Sequence, residues 1–120
     1  MEIDRFRCNR VIFDTNALIY AAKKRIDLSE FKILLPSTVL NELKRLEEKL
    51  SGIDRIAVRI ALKIVEKAEL VESEEGDKGI LETAKKFRCS LITNDRNLRK
   101  KAEKLGIPVG YLKLRKVVFS

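Results

Sequence analysis

Arg10-Val11-Ile12-Phe13-Asp14-Thr15-Asn16 is the stretch whose reading decides the fold. A short apolar run passes straight into polar turn formers. That pattern predicts a strand buried on both faces. Ala17 to Lys24 then suits a helix, and the same alternation continues outward along the chain. Ile33-Leu34-Leu35 reads as a second strand closed by Pro36. Ser37 or Thr38 is placed to cap a helix over about Thr38 to Leu50, with Val39, Leu43, Leu46 and Leu50 on one stripe. Ser51-Gly52 ends it. A helix from about Ile53 to Lys67 follows, and Ile56, Ile60, Ile64, Ala57 and Ala61 are expected to face inward. Glu69 to Glu72, Ser90 to Thr93 and Pro108 to Leu112 read as further strands. Helices over Asp77 to Phe87 and Asn94-Asp95 to Leu105 separate them, the last stopped by Gly106. Strands alternating with helices specify βαβ units. The expected fold class is α/β, a central, mostly parallel sheet of about five strands covered on both faces. A chain of this length is expected to form one domain, residues 1–120.

Composition narrows the chemistry. The chain has 120 residues, 26 Lys plus Arg against 18 Asp plus Glu, a formal net charge of +8, and no histidine. Without His, neither a His-based catalytic triad nor a His-ligated zinc site can be built from this chain. Its two cysteines exclude a four-thiolate zinc or iron–sulfur site. Any metal must be a hard cation held by oxygen. Cys8 and Cys89, far apart in sequence, read as ordinary thiols of a reducing compartment. Met1 to Arg10 is charged and lacks the apolar centre of a signal peptide. No run approaches the ~18 apolar residues of a membrane helix. A cytoplasmic location with no membrane association is the expectation.

The basic excess is uneven. Residues 85–120 hold eleven Lys or Arg and two acids, net +9, whereas residues 1–84 hold fifteen and sixteen, net −1. A polyanion partner is implied, drawn to the last third of the chain.

The acids fall into a pattern. Asp14 follows the first strand, Asp77 the third and Asp95 the fourth, each where a helix begins. The carboxyl ends of parallel strands share one edge, where ligands bind. Glu42 lies early in the helix after the second strand. Its helical neighbours Val39 and Leu46 are apolar, so it is expected to border the buried face. Each aspartate alone is explained as an N-cap. Four together repel one another and raise each other's pKa, and a divalent cation relieves that. Carboxylates and water suit Mg²⁺ or Mn²⁺, whose chemistry is phosphodiester hydrolysis by activated water.

Val11 to Leu18, Pro36 to Leu43, Gly76-Asp77-Lys78-Gly79-Ile80 with Ala84, and Leu91 to Arg99 resemble, in order, the four motifs of the PIN domain. The resemblance covers nearly the whole chain. It implies a three-layer α/β/α fold and Mg²⁺- or Mn²⁺-dependent RNA cleavage. It also implies that Asp14, Glu42, Asp77 and Asp95 are the catalytic metal ligands, helped by the polar residues Asn16 and Thr93. A further acid that some family members carry is replaced here by Asn97. The stretch Leu105 to Arg115 and the run Val39 to Leu46 look most like the archaeal and eukaryotic ribosomal-RNA-processing branch. VapC-type toxins are the competing branch. The corresponding partners are RNA with a ribosome-assembly protein or an antitoxin.

Arg96, Arg99, Lys100 and Lys44 are the candidate RNA contacts, Arg96 foremost because it adjoins Asp95. A solvated helix face explains each of them equally well. Tyr20 and Phe31 read as core or rim residues, with base stacking as the alternative. The apolar end Val117-Val118-Phe119 offers a last strand or a homodimer contact. Two rivals to the nuclease reading are a PIN module that binds RNA or protein without cutting, and a receiver-like phosphorylation domain. The latter needs paired acids after the first strand and a Lys after the last, and neither is evident.

Overall fold

The computed structural model describes residues 10–120. Cys8 and Met1 to Asn9 lie outside the described residues. The elements are β1 (Arg10–Phe13), α1 (Thr15–Lys24), β2 (Lys32–Pro36), α2 (Ser37–Lys49), α3 (Gly52–Ile64) and β3 (Glu69–Val71). They continue with α4 (Gly76–Phe87), β4 (Ser90–Ile92), α5 (Arg96–Lys104), β5 (Val109–Lys113) and β6 (Lys116–Phe119). The strands form one sheet in the order β3-β2-β1-β4-β5-β6, within a three-layer α/β fold. β1 to β5 are parallel, and only β6 runs antiparallel.

The sheet has six strands where about five were expected. Val117, Val118 and Phe119 are the reason. Leu114-Arg115 form a two-residue turn that folds Lys116 back opposite Lys113. Leu114 takes a φ of 57°, the left-handed conformation such a turn needs and a leucine tolerates poorly. The apolar end is therefore a strand of this chain, paired within the sheet.

β1 lies at the centre. Val11, Ile12 and Phe13 are buried, as the short apolar run requires of a strand covered on both faces. Phe31 packs edge-on against Phe13, with centroids 5.8 Å apart, and belongs to the core rim. From β1 the chain builds outward to β2 and β3 on one side, then returns to β4 and β5 on the other. The carboxyl ends of β1 and β4 thus flank the switch point of the topology, where open α/β sheets bind their ligands.

The third helix departs from expectation. Ala57, Val58 and Ala61 of α3 are buried, but Ile53, Ile56 and Ile60 are 79%, 57% and 43% exposed. α3 packs against α1, whose buried side carries Ala17, Ala21 and Ala22. Small residues on both helices permit close approach and leave no room for isoleucine between them. The pair is also tied by Lys23 Nζ to Asp54 Oδ1 at 3.0 Å. Ala57 and Ala61 face inward as expected and Ile64 packs half-buried against the core, but the volume available turns Ile56 and Ile60 out. Among the described residues, no helix is long and apolar enough to cross a membrane.

Candidate active site

The register of β1 on β4 builds the centre of the site. Phe13 lies opposite Ile92, so the next residues, Asp14 and Thr93, emerge side by side. The Asp14 amide donates to the Ile92 carbonyl at 3.2 Å. Asp14 is the N-cap of α1, and its Oδ1 accepts from the Ala17 amide at 2.8 Å. The Thr93 hydroxyl donates to Asp14 Oδ2 and accepts from the Asp95 amide at 3.0 Å. Asp95 caps α5 in turn, its Oδ1 accepting from Asn97 N at 2.9 Å and Leu98 N at 3.2 Å. One fully buried hydroxyl therefore links two of the candidate acids. The capping explanation holds for Asp14 and Asp95, yet each cap occupies only Oδ1.

Asp14 is buried and its neighbours are charged. Burial pushes its carboxyl above the ordinary 3.8, and the bonds from Thr93 and Ala17 oppose this. The charges of Asp95 and then Asp77 push it up further. These three aspartates are thus brought into one field at the carboxyl edge. Glu42 is not among the charges acting on Asp14.

Asp77 occupies the first turn of α4 and is exposed. It does not cap the helix; Glu75 holds the cap position, without a side-chain bond. The loop before α4 is fastened to the start of α2 instead. The Ser73 amide donates to Ser37 Oγ at 2.9 Å, the Thr38 amide to Ser73 Oγ at 3.1 Å, and the Gly76 amide to Thr38 Oγ1 at 2.9 Å. Thus Ser37 and Thr38 do not cap α2 as the sequence suggested; Ser73, far along the chain, supplies that bond. Gly79 completes the latch. A Cβ there would come within 1.7 Å of the Glu74 carbonyl oxygen, so only glycine lets the loop lie on α4. Sequence reading overlooked Ser73 and Gly79 as positioning groups. The glycine inside a helical pattern was the available signal.

Glu42 is exposed, contrary to the expectation that it borders the buried face. The latch covers Thr38, which is buried, and stops short of the next turn. Asn16, in the first turn of α1, is also exposed, as are Arg96, Lys100 and Lys44. Arg99 differs from these. Its Nη1 donates to the Thr93 carbonyl at 3.1 Å, and its guanidinium lies 5.1 Å from the centre of the Tyr111 ring.

The donor set suits a divalent cation. Every candidate ligand is a hard oxygen, and Asp14 carries an electrostatic burden from Asp95 and Asp77 that such an ion would remove. Among the described residues, no three acidic or thiol side chains stand close enough to hold an ion as they are oriented. Asp14 is buried, whereas Asp77, Asp95 and Glu42 are exposed.

Comparison with known proteins agrees with this geometry. Residues 11–115 match a family model described as a PIN like domain. Ribonuclease VapC9 of Archaeoglobus fulgidus is 46% identical over 130 residues, covering 99% of this chain and 96% of that protein. A domain of a functionally unknown protein from Methanocaldococcus jannaschii superposes with a TM-score of 0.64 at 20% identity, covering 87% of this chain and 91% of that one. A Pyrobaculum aerophilum structure does so with a TM-score of 0.55 at 18% identity, covering 82% and 87%. These two structures share the fold alone. The family match over most of the chain and the full-length relative establish the family: this chain belongs to the PIN-like domains.

Proposed function

We propose that the chain is a VapC-type ribonuclease that hydrolyses RNA phosphodiester bonds with Mg²⁺ or Mn²⁺. The observation that carries this reading is the buried Asp14, whose carboxylate faces the charges of Asp95 and Asp77 beside the switch point of the sheet. The toxin branch replaces the ribosomal-RNA-processing branch expected from the sequence, because the full-length relative is a VapC ribonuclease. An antitoxin protein is accordingly the partner to seek, with RNA as substrate. A chain of this kind works in the cytoplasm.

Asp14, Asp77, Asp95 and Glu42 would hold the ion. When bound, it supplies acidified water and charge neutralisation at a phosphate oxygen. The chain's own residues do the remaining work. Thr93 fixes the Asp14 carboxylate and the Asp95 backbone in one arrangement. Arg96, Lys100 and Lys44 draw in the RNA backbone, and Asn16 offers a polar side chain at the mouth of the site.

The test is cleavage of labelled single-stranded RNA with Mn²⁺ against an EDTA control. Asp14→Asn and Asp95→Asn should each abolish it while circular dichroism stays unchanged. Full activity in either variant would overturn the site. The separation of the acids favours one second reading, a module that binds RNA without cutting. Binding with no cleavage by the wild type across several RNAs would establish it.

A further inference from the structure

We propose that Arg99 is a positioning residue for this site, acting through Thr93, and not one of the cations that grip RNA. The proposal rests on the ribonuclease reading for its kinetic consequences, although the brace itself is independent of it. Arg99 lies on α5 among Arg96, Lys100 and Lys101, and by sequence is indistinguishable from these basic neighbours. In the fold it is half-buried where Arg96 and Lys100 are exposed.

Both faces of its environment are defined. Thr93 and Tyr111 are neighbours across the sheet, because Ile92 lies opposite Gly110 and Thr93 N donates to the Gly110 carbonyl at 3.0 Å. The guanidinium spans the two. It donates to the Thr93 carbonyl while lying over the Tyr111 ring, and the extended fork of a guanidinium makes both contacts at once. Asn94 pins the next residue of the turn. Its Oδ1 accepts from the Leu112 amide at 2.8 Å, and its Nδ2 donates to the Leu112 carbonyl at 3.3 Å. The turn Thr93-Asn94-Asp95 is thereby fixed to β5 by two side chains. The hydroxyl of that same Thr93 holds Asp14 and the Asp95 amide. A guanidinium committed to a carbonyl and a ring is poorly placed to neutralise a phosphate as well.

The test separates positioning from gripping. In Arg99→Gln, kcat for Mn²⁺-dependent cleavage should fall about 10- to 100-fold, the range for groups that orient ligands. KM and the affinity for a labelled single-stranded RNA in EDTA should hold within about twofold, and the salt dependence of that binding should not change. Arg99→Lys should recover part of the loss and Tyr111→Phe, which keeps the ring, should lose little. The proposal is overturned if Arg99→Gln weakens RNA binding and lowers its salt slope by about 0.7, the signature of one lost phosphate contact on a single strand. It is equally overturned if kcat is unchanged. If the wild type proves not to cleave, the ribonuclease reading fails, and amide hydrogen exchange still decides the brace. Arg99→Gln should then speed exchange at Asp95, Asn97 and Leu98 at least tenfold, and unchanged protection would remove Arg99 from this role.

Discussion

Asp14, on which the proposed site turns, shows what a buried carboxylate asks of its fold. A carboxylate that is buried and faces two like charges prefers its proton more in the native chain than in the unfolded one. Its native pKa is raised, so the folded state binds more protons as pH passes from the ordinary 3.8 to the raised value. Stability contributed by this group is therefore lost as pH rises through that window, and the loss is complete above it. Asp14→Asn removes the charge and keeps the shape, and gives up one acceptor, because its amide nitrogen cannot take the proton that Thr93 donates to Oδ2. In EDTA at neutral pH its melting temperature should equal or exceed that of the wild type. That advantage should shrink as pH is lowered toward 4. Added Mn²⁺ should raise the melting temperature of the wild type and leave the variant where it is. A variant that melts well below wild type at neutral pH would show that the carboxylate is not under strain. Thr93→Val tests the neighbouring group. Losing the hydroxyl that orients Asp14 should cut activity about 10- to 100-fold, measured as cleavage rate at saturating Mn²⁺.

The elements were legible to different depths. The first five strands were clear because short apolar runs between turn formers have few other readings, whereas the sixth was one of two readings of the apolar end; the edge bearing Asp14, Asp77 and Asp95 followed from their order alone. Two things were not legible. That Ile56 and Ile60 of α3 turn outward beside the inward Ala57 and Ala61 depended on the alanines of α1, a fact of volume that the periodicity of one helix does not contain. The Ser37–Ser73 latch joins residues 36 positions apart, and nothing local marks it. Both yield predictions measured by thermal denaturation. Ile56→Lys, on the exposed stripe, should change stability by no more than about 0.5 kcal/mol. Gly79→Ala, in contrast, must displace the Glu74 backbone, and should cost about 1–3 kcal/mol and reduce cleavage by loosening the start of α4. At the β5–β6 turn, Leu114→Gly should relieve the positive φ and stabilise the chain by up to about 1 kcal/mol. Its melting temperature would rise with activity unchanged.

At the scale of the molecule, the basic excess of the last third is divided by the fold. Helices that follow a strand start at its carboxyl edge and run back, so the far end of α4 carries Lys86 and Arg88 away from Asp14. β5 runs the other way, parallel to β1 and β4, and delivers Lys113 to the carboxyl edge. The two-residue turn holds Arg115 beyond it, and Lys116 begins the return. The sequence placed eleven cations near an acidic site; the topology keeps only some of them there. The hairpin tip and the start of α5 bring Lys113, Arg115 and Arg96 to the carboxyl edge, whereas Lys86 belongs to the opposite rim. This gives a contrast that total charge cannot. Lys113→Gln with Arg115→Gln and Lys86→Gln with Arg88→Gln each remove two positive charges. If charge placement governs binding, the hairpin pair should weaken binding of a labelled single-stranded RNA in EDTA and lower its salt slope by up to about 1.4, two phosphate contacts on a single strand. The Lys86 and Arg88 pair should leave that slope within error. Equal effects from the two pairs would mean that net charge, rather than the flank beside Asp14, attracts the RNA.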